Sequence, residues 1–116
     1  CFVENESRAV SIIKKNVKLL SADPDVTVLC KDATKLNKNL IGEFDLVFLD
    51  PPYGLHLGEV SLKSAIKGGW IAQGAIIVWE EKGYIPTIDN LHLLTERFFG
   101  KIKIQFFTLR EKSNTM

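Results

Sequence analysis

No apolar run in this chain approaches the roughly 20 residues needed to cross a bilayer as a helix, and nothing in it has the form of a secretory signal. Cysteine is scarce. Cys1 and Cys30 are the only two, and their separation matches neither a metal-ligand spacing nor a disulfide framework. Both sit in apolar stretches, so the sequence predicts buried thiols in a reducing cytoplasm, with no membrane and no metal involved. A dominant charge is lacking too: the net charge of +1 neither demands nor excludes nucleic acid. Repeats, low-complexity tracts and linkers are absent. No Gly-x-Gly loop of the kind that cradles phosphates occurs anywhere. What remains is an ordinary globular composition, 46% hydrophobic and 25% charged over 116 residues, enough for a single core in a single domain spanning 1–116.

The chain is organised around Phe44-Asp45-Leu46-Val47-Phe48-Leu49-Asp50-Pro51-Pro52-Tyr53-Gly54. Leu46 to Leu49 reads as a buried parallel strand. Asp50 and two prolines stop it. Pro52 disfavours a helical conformation at Pro51, and neither proline can donate to a ladder, so the chain must leave the sheet here. Beyond the carboxyl ends of strands is where open α/β sheets bind ligands. This strand end offers a carboxylate, carbonyls and an aromatic ring within four residues.

That set suits methylation of an amine on a planar base. Such a nitrogen is a poor nucleophile because its lone pair is delocalised. The Asp50 carboxylate and the Pro51 carbonyl can accept its two N–H hydrogens, which favours a pyramidal nitrogen aimed at an electrophile. Tyr53 can stack on the base, worth roughly 1–3 kcal/mol. The plainer reading of the same four residues is a turn that ends a strand.

Around this strand the pattern alternates. Cys1-Phe2-Val3-Glu4 reads as a short strand with an acid at its carboxyl end, a place where dinucleotide-type folds hydrogen-bond ribose hydroxyls. The alternative for Glu4 is a solvated acid that suits a helix start. Asn5 can cap the helix that follows, whose apolar positions are Ala9, Ile13, Val17 and Leu20. Ala22-Asp23-Pro24-Asp25 ends it in a turn. Val26 to Cys30 is the next strand. Asp32 can cap a short helix over Ala33–Leu36. A helix over Glu59–Lys67 follows the central strand, and Gly68-Gly69 stops it. His56 precedes it as a bland loop histidine. Ala75 to Glu80 reads as a further buried strand, with Glu80, Glu81 and Lys82 as solvated charges at its end. Ile85-Pro86 falls in a loop. Leu91–Arg97 and Lys101–Arg110 make a hairpin, the second strand with one wet face. Glu111 to Met116 is a frayed tail.

Asp50-Pro51-Pro52-Tyr53 resembles the catalytic motif of S-adenosylmethionine-dependent amino-methyltransferases. From Cys1 to about Arg110 the chain is similar to the bacterial small-subunit ribosomal RNA guanine-N2 methyltransferase family. Phe2-Val3-Glu4, Phe48 to Tyr53, Gly69-Trp70-Ile71-Ala72 and Phe99-Gly100 carry the likeness. The resemblance implies an α/β fold of the class I methyltransferase, Rossmann-like type, mostly parallel with a C-terminal antiparallel hairpin. It implies S-adenosyl-L-methionine as cofactor and ribosomal RNA, or the small ribosomal subunit, as partner. It assigns Glu4 to the cofactor ribose with Asn5 beside it, Asp32 and Ala33 to the adenine, and Asp50, Pro51, Pro52 and Tyr53 to catalysis. The likeness covers only the back part of the family: the family's first strand and Gly-rich loop are not in this sequence. Because the chain starts at Cys1 inside a strand, the expectation is the C-terminal part of a longer protein, inactive alone. Methylation of adenine N6 in DNA or of a glutamine amide stays open, since each presents a planar NH2. So does a non-catalytic methyltransferase remnant.

Overall fold

A computed structural model describes residues 1–52, 56–83 and 87–110. Tyr53, the Ile85-Pro86 loop and the tail from Glu111 lie outside the described residues. The elements in order are β1 (Phe2–Glu4), α1 (Ser7–Leu19), β2 (Val28–Cys30), β3 (Phe44–Leu49), α2 (Leu57–Lys67), β4 (Ile71–Lys82), β5 (Leu91–Phe99) and β6 (Ile102–Leu109). Single 3-10 turns at Asp23–Asp25 and Ala33–Lys35 flank β2. The fold is α/β with mixed pairing. β1 and β2 form a parallel two-stranded sheet, and a second sheet runs β3-β4-β6-β5. β3 and β4 pair parallel, while β4, β6 and β5 are antiparallel neighbours.

The core lies between α2 and one face of the larger sheet. Its centre is Leu62, Ile77 and Trp79, with Trp70, Ile71, Phe107 and Leu109 around them. Val47 and Leu49 on β3 pair with Ile77 and Trp79 on β4, so the same face carries all four. Trp79 and Phe107 meet in a tilted aromatic contact, with ring centroids 6.2 Å apart. Leu29 and Leu36 pack on the edge of this core and tie the smaller sheet to it.

The segment from Leu36 to Gly42 is pinned to the end of α2. The Leu36 N–H donates to Ser64 Oγ at 2.8 Å, and Trp70 Nε1 donates to the Asn37 carbonyl at 2.8 Å. Asn39 donates its backbone N–H to the Gly68 carbonyl and its side-chain amide to the Gly42 and Gly69 carbonyls. These bonds hand the chain into β3 alongside β4. Phe44 then opens the pairing by donating to the Trp70 carbonyl at 2.9 Å.

Several sequence expectations need correction. Helix α1 starts at Ser7 behind Glu6, so Asn5 is not its N-cap, and Leu20 lies past its end, largely exposed. β2 is shorter than Val26–Cys30, because the 3-10 turn over Pro24 delays entry into the ladder. The 3-10 turn after it ends at Lys35, and α2 begins two residues early, at Leu57. β3 is buried on one face only: Leu46 and Phe48 point the other way and are 54% and 74% exposed. Gly74, at φ 80°, sits in an irregularity that lets β4 begin at Ile71 rather than Ala75. β6 has no wet face: its residues are half-buried or buried along the whole strand. Cys1 and Cys30 are exposed rather than buried, at the start of β1 and the end of β2, beyond the core.

Gly58 sits where α2 meets the sheet. A Cβ there would lie 2.7 Å from Trp79 Cζ2 and Nε1, and that ring is only 1% exposed and cannot yield. Gly58→Ala should therefore destabilise the fold by about 1–3 kcal/mol through overpacking, less up to about 1 kcal/mol from better helix propensity. Urea unfolding followed by circular dichroism reads this. A variant as stable as the parent would show that the α2–Trp79 contact is not tight.

Candidate functional site at the strand ends

Asp50 and Pro51 follow directly on β3, whose last pair is Leu49 opposite Trp79. One step further along the two parallel strands, Asp50 comes beside Glu80. Partial burial, and then the negative charge of Glu80, hold the Asp50 carboxyl above its ordinary range. Asp50 is exposed as a residue, so surrounding water dilutes the burial effect, and Glu80 is the specific influence. Pro51 is half-buried and Pro52 exposed. The chain leaves the sheet at these prolines, as their missing N–H groups require.

Glu4 and Asp32 belong to the other sheet. Glu4 ends β1 opposite Cys30, and its carbonyl accepts from the Lys31 N–H at 3.1 Å. Its side chain turns back locally: Oε1 accepts the Glu6 N–H at 3.1 Å. Asp32 lies two residues beyond Cys30. Its Oδ1 accepts the Thr34 N–H at 2.9 Å and the Thr34 hydroxyl at 2.6 Å, which caps the turn that Ala33 begins. Those two bonds keep the Asp32 carboxyl below its usual range, against an opposing effect of burial and with a lesser contribution from the nearby Lys35. The cap expected from the sequence is thus present. Asn5 is exposed, and its carbonyl lies 4.0 Å from Cys30 Sγ.

The structure therefore groups the candidates in two sets by sheet. Glu4 and Asp32 leave the carboxyl ends of adjacent strands β1 and β2. Asp50 and Pro51 leave β3 beside β4. Tyr53 falls outside the described residues. His56, at φ 55°, precedes α2 and makes no side-chain cap.

Glu80 is the residue that sequence reasoning undervalued, and Glu81 with it. Glu81 is buried, 6% exposed, not solvated. Strands of alternating residues reveal which side chains share a face only once the register is known. The available signal was that two consecutive parallel strands each end in an acid, Asp50 and Glu80. A concavity of about 740 Å³ lies elsewhere, between the 3-10 turn at Ala33–Lys35 and α2. Lys35, Lys38, Lys63 and Lys67 line it, with none of the candidate site residues. Among the described residues no cluster of three or more metal-ligating side chains occurs, and no helix is long and apolar enough to cross a membrane.

Comparison with known proteins adds to this geometry. The model of a family described as conserved hypothetical protein 95 matches residues 1–108. The ribosomal RNA small subunit methyltransferase D of Haemophilus influenzae is 27% identical over 112 residues, 91% of this chain. The chain spans 58% of that relative's length. An uncharacterized methylase of Rickettsia prowazekii is 36% identical over 63 residues, 53% of this chain and 27% of its own. Among solved structures, a candidate methylase from Haemophilus influenzae superposes with a TM-score of 0.82 at 26% identity, covering 95% of this chain and 71% of the other. A candidate methyltransferase from Escherichia coli gives the same TM-score at 23% identity, covering 95% and 63%. The second likeness speaks for the fold alone.

The Asp50 environment has a consequence for stability. At pH well below the carboxylate range, Asp50 is protonated in both folded and unfolded chains and has no effect. Above its raised folded value it is ionised in both, and the folded state bears the penalty. The cost therefore grows as pH rises through the window from the ordinary value to the raised one. Asp50→Asn should be more stable than the parent at pH 7 and indistinguishable from it near pH 3, as read by urea midpoints. An equal difference at both pH values would refute the assignment.

Proposed function

The chain belongs to the conserved hypothetical protein 95 family, and from that premise we propose that it is the catalytic part of an S-adenosylmethionine-dependent methyltransferase acting on the exocyclic N2 amine of a guanine in small-subunit ribosomal RNA. The observation that carries this reading is the strand end: an acid followed by two prolines where β3 leaves its parallel neighbour. The printed name of the Haemophilus influenzae relative supports the ribosomal RNA substrate, and the partner would be the small ribosomal subunit in the cytoplasm.

Each residue then has a task. Asp50 and the Pro51 carbonyl accept the two amine hydrogens and orient the nitrogen lone pair. Pro52 holds the turn. Tyr53 supplies a ring for the base, which must leave its helix to reach this site. The residues at β1 and β2 fit the cofactor in donor chemistry. One Glu4 oxygen is engaged by the Glu6 N–H, and the other can accept from a ribose hydroxyl. Asp32 engages Thr34 through Oδ1, and Oδ2 can accept from the adenine amine, with the Ala33 N–H beside it. Asn5 lies next to Glu4 at the same strand end. Bound S-adenosylmethionine supplies the electrophilic methyl group. RNA phosphates have a candidate contact in the groove of Lys35, Lys38, Lys63 and Lys67.

Transfer of tritiated methyl groups by the full-length protein to undermethylated small subunits tests the reading. Label should enter guanine, and Asp50→Ala should reduce the rate by about 10²–10³-fold, the loss typical of removing one group that stabilises developing charge. Label in adenine of duplex DNA instead would replace the substrate. For the groove, Lys35→Ala with Lys67→Ala should weaken RNA binding and lower the salt slope by about 2. An unchanged slope would remove the groove from the interface.

A further inference from the structure

Glu80 has no task in the scheme above, yet the fold brings it to the reacting end of the sheet. The parallel register of β3 and β4 sets Asp50 beside Glu80, one step beyond the Leu49–Trp79 pair. The negative charge of Glu80 acts on the Asp50 carboxyl there. Two carboxyl groups so placed can share a proton once one arrives. We propose that Glu80 is a positioning residue for Asp50, and that the two carboxyl groups act together as the acceptor of the proton released when the amine is methylated.

The inference rests on the methyl-transfer reading and deepens it. As the bond from methyl carbon to nitrogen forms, the bond from that carbon to the donor sulfur breaks, and its electron pair stays on sulfur. The nitrogen becomes cationic and must lose one of its two protons. Asp50, already hydrogen bonded to the amine, takes it. Glu80 beside it then shares that proton and passes it to water. A lone exposed carboxylate is a weak base for this task. Like charges side by side raise the pair's affinity for its first proton, which makes it a better one.

On β4, Lys82 shares the Glu80 face two residues on, and Glu81 points to the opposite, buried face. On β6, Ile104 lies opposite Glu80, and Lys103 lies opposite Glu81 on the far face. On β5, Arg97 is in register with Ile104, two strands away from Glu80. Its guanidinium donates to the Thr95 hydroxyl and the Glu96 carbonyl. On α2, Glu59 near the helix start is paired with Lys63 at 2.8 Å. The charge that acts on Asp50 is Glu80.

The test is a carbon-detected NMR titration of the Asp50 and Glu80 carboxyl groups in the purified protein, with no donor and no RNA. In the parent the Asp50 carboxyl should titrate above its ordinary range. The Asp50 midpoint should fall in Glu80→Ala, which removes the charge. It should fall further in Glu80→Gln, whose amide also donates a hydrogen bond to the Asp50 carboxylate. Circular dichroism checks that each variant is folded. An Asp50 midpoint unmoved in both folded variants overturns the pairing. In the methyl-transfer assay, the acid limb of the rate should move to lower pH in Glu80→Gln, and an unmoved limb overturns the catalytic role of the pair. An Asp50 midpoint that falls in both variants, without any guanine methylation by the parent, overturns the substrate reading and leaves the pair standing.

Discussion

Five registered pairs hold β3 against β4, from Phe44 opposite Ile71 to Leu49 opposite Trp79. That parallel ladder decides where both faces and both ends of the larger sheet lie. It turns Val47 and Leu49 toward α2 with Ile77 and Trp79, and so builds the core. It also carries Asp50 to the side of Glu80. Packing and chemistry are thus set by one pairing, and a slip of one residue would reverse the faces and separate the acids together.

The ladder is in turn kept in register from outside. The Asn39 side chain and the carbonyls of Asn37 and Gly68 tie the chain before β3 to the chain before β4. The geometry at the carboxyl ends of these strands therefore depends on polar contacts at their amino ends, about 17–20 Å away by strand length. The irregularity near Gly74 absorbs the mismatch between the Phe44–Ile71 and Leu46–Ile76 pairs.

Much of this was legible in the sequence because it was written in short-range signals. Pro51 and Pro52 can only end a strand, Gly68-Gly69 ends α2 with Gly69 at φ 76°, and the alternation after Gly100 makes a hairpin strand. The Asp32 cap needs only Thr34 two residues away. What misled were properties set by neighbours. An apolar run such as Leu46–Leu49 reads as buried on both sides, yet nothing in the run says whether both sides are covered. Phe48 and Leu46, on the face away from α2, stay largely exposed. The same limit hid Glu80 and Glu81. Adjacent in sequence, they sit on opposite faces, one beside Asp50 and the other in the interior.

The two tryptophans bracket α2. Gly58 at its start lies against the Trp79 ring, and Gly68 just past its end lies against the Trp70 ring. Both indoles are buried, but their polar ends differ. Trp70 Nε1 donates to the Asn37 carbonyl, whereas Trp79 Nε1 has no partner among the described residues. The helix therefore has an intrinsic fluorophore packed against each end, in electrically distinct surroundings. Lifting the α2 start from the sheet would shift the emission of one, and releasing the Leu36–Gly42 segment would shift the other. The two ends of a single element can thus be followed optically without a label.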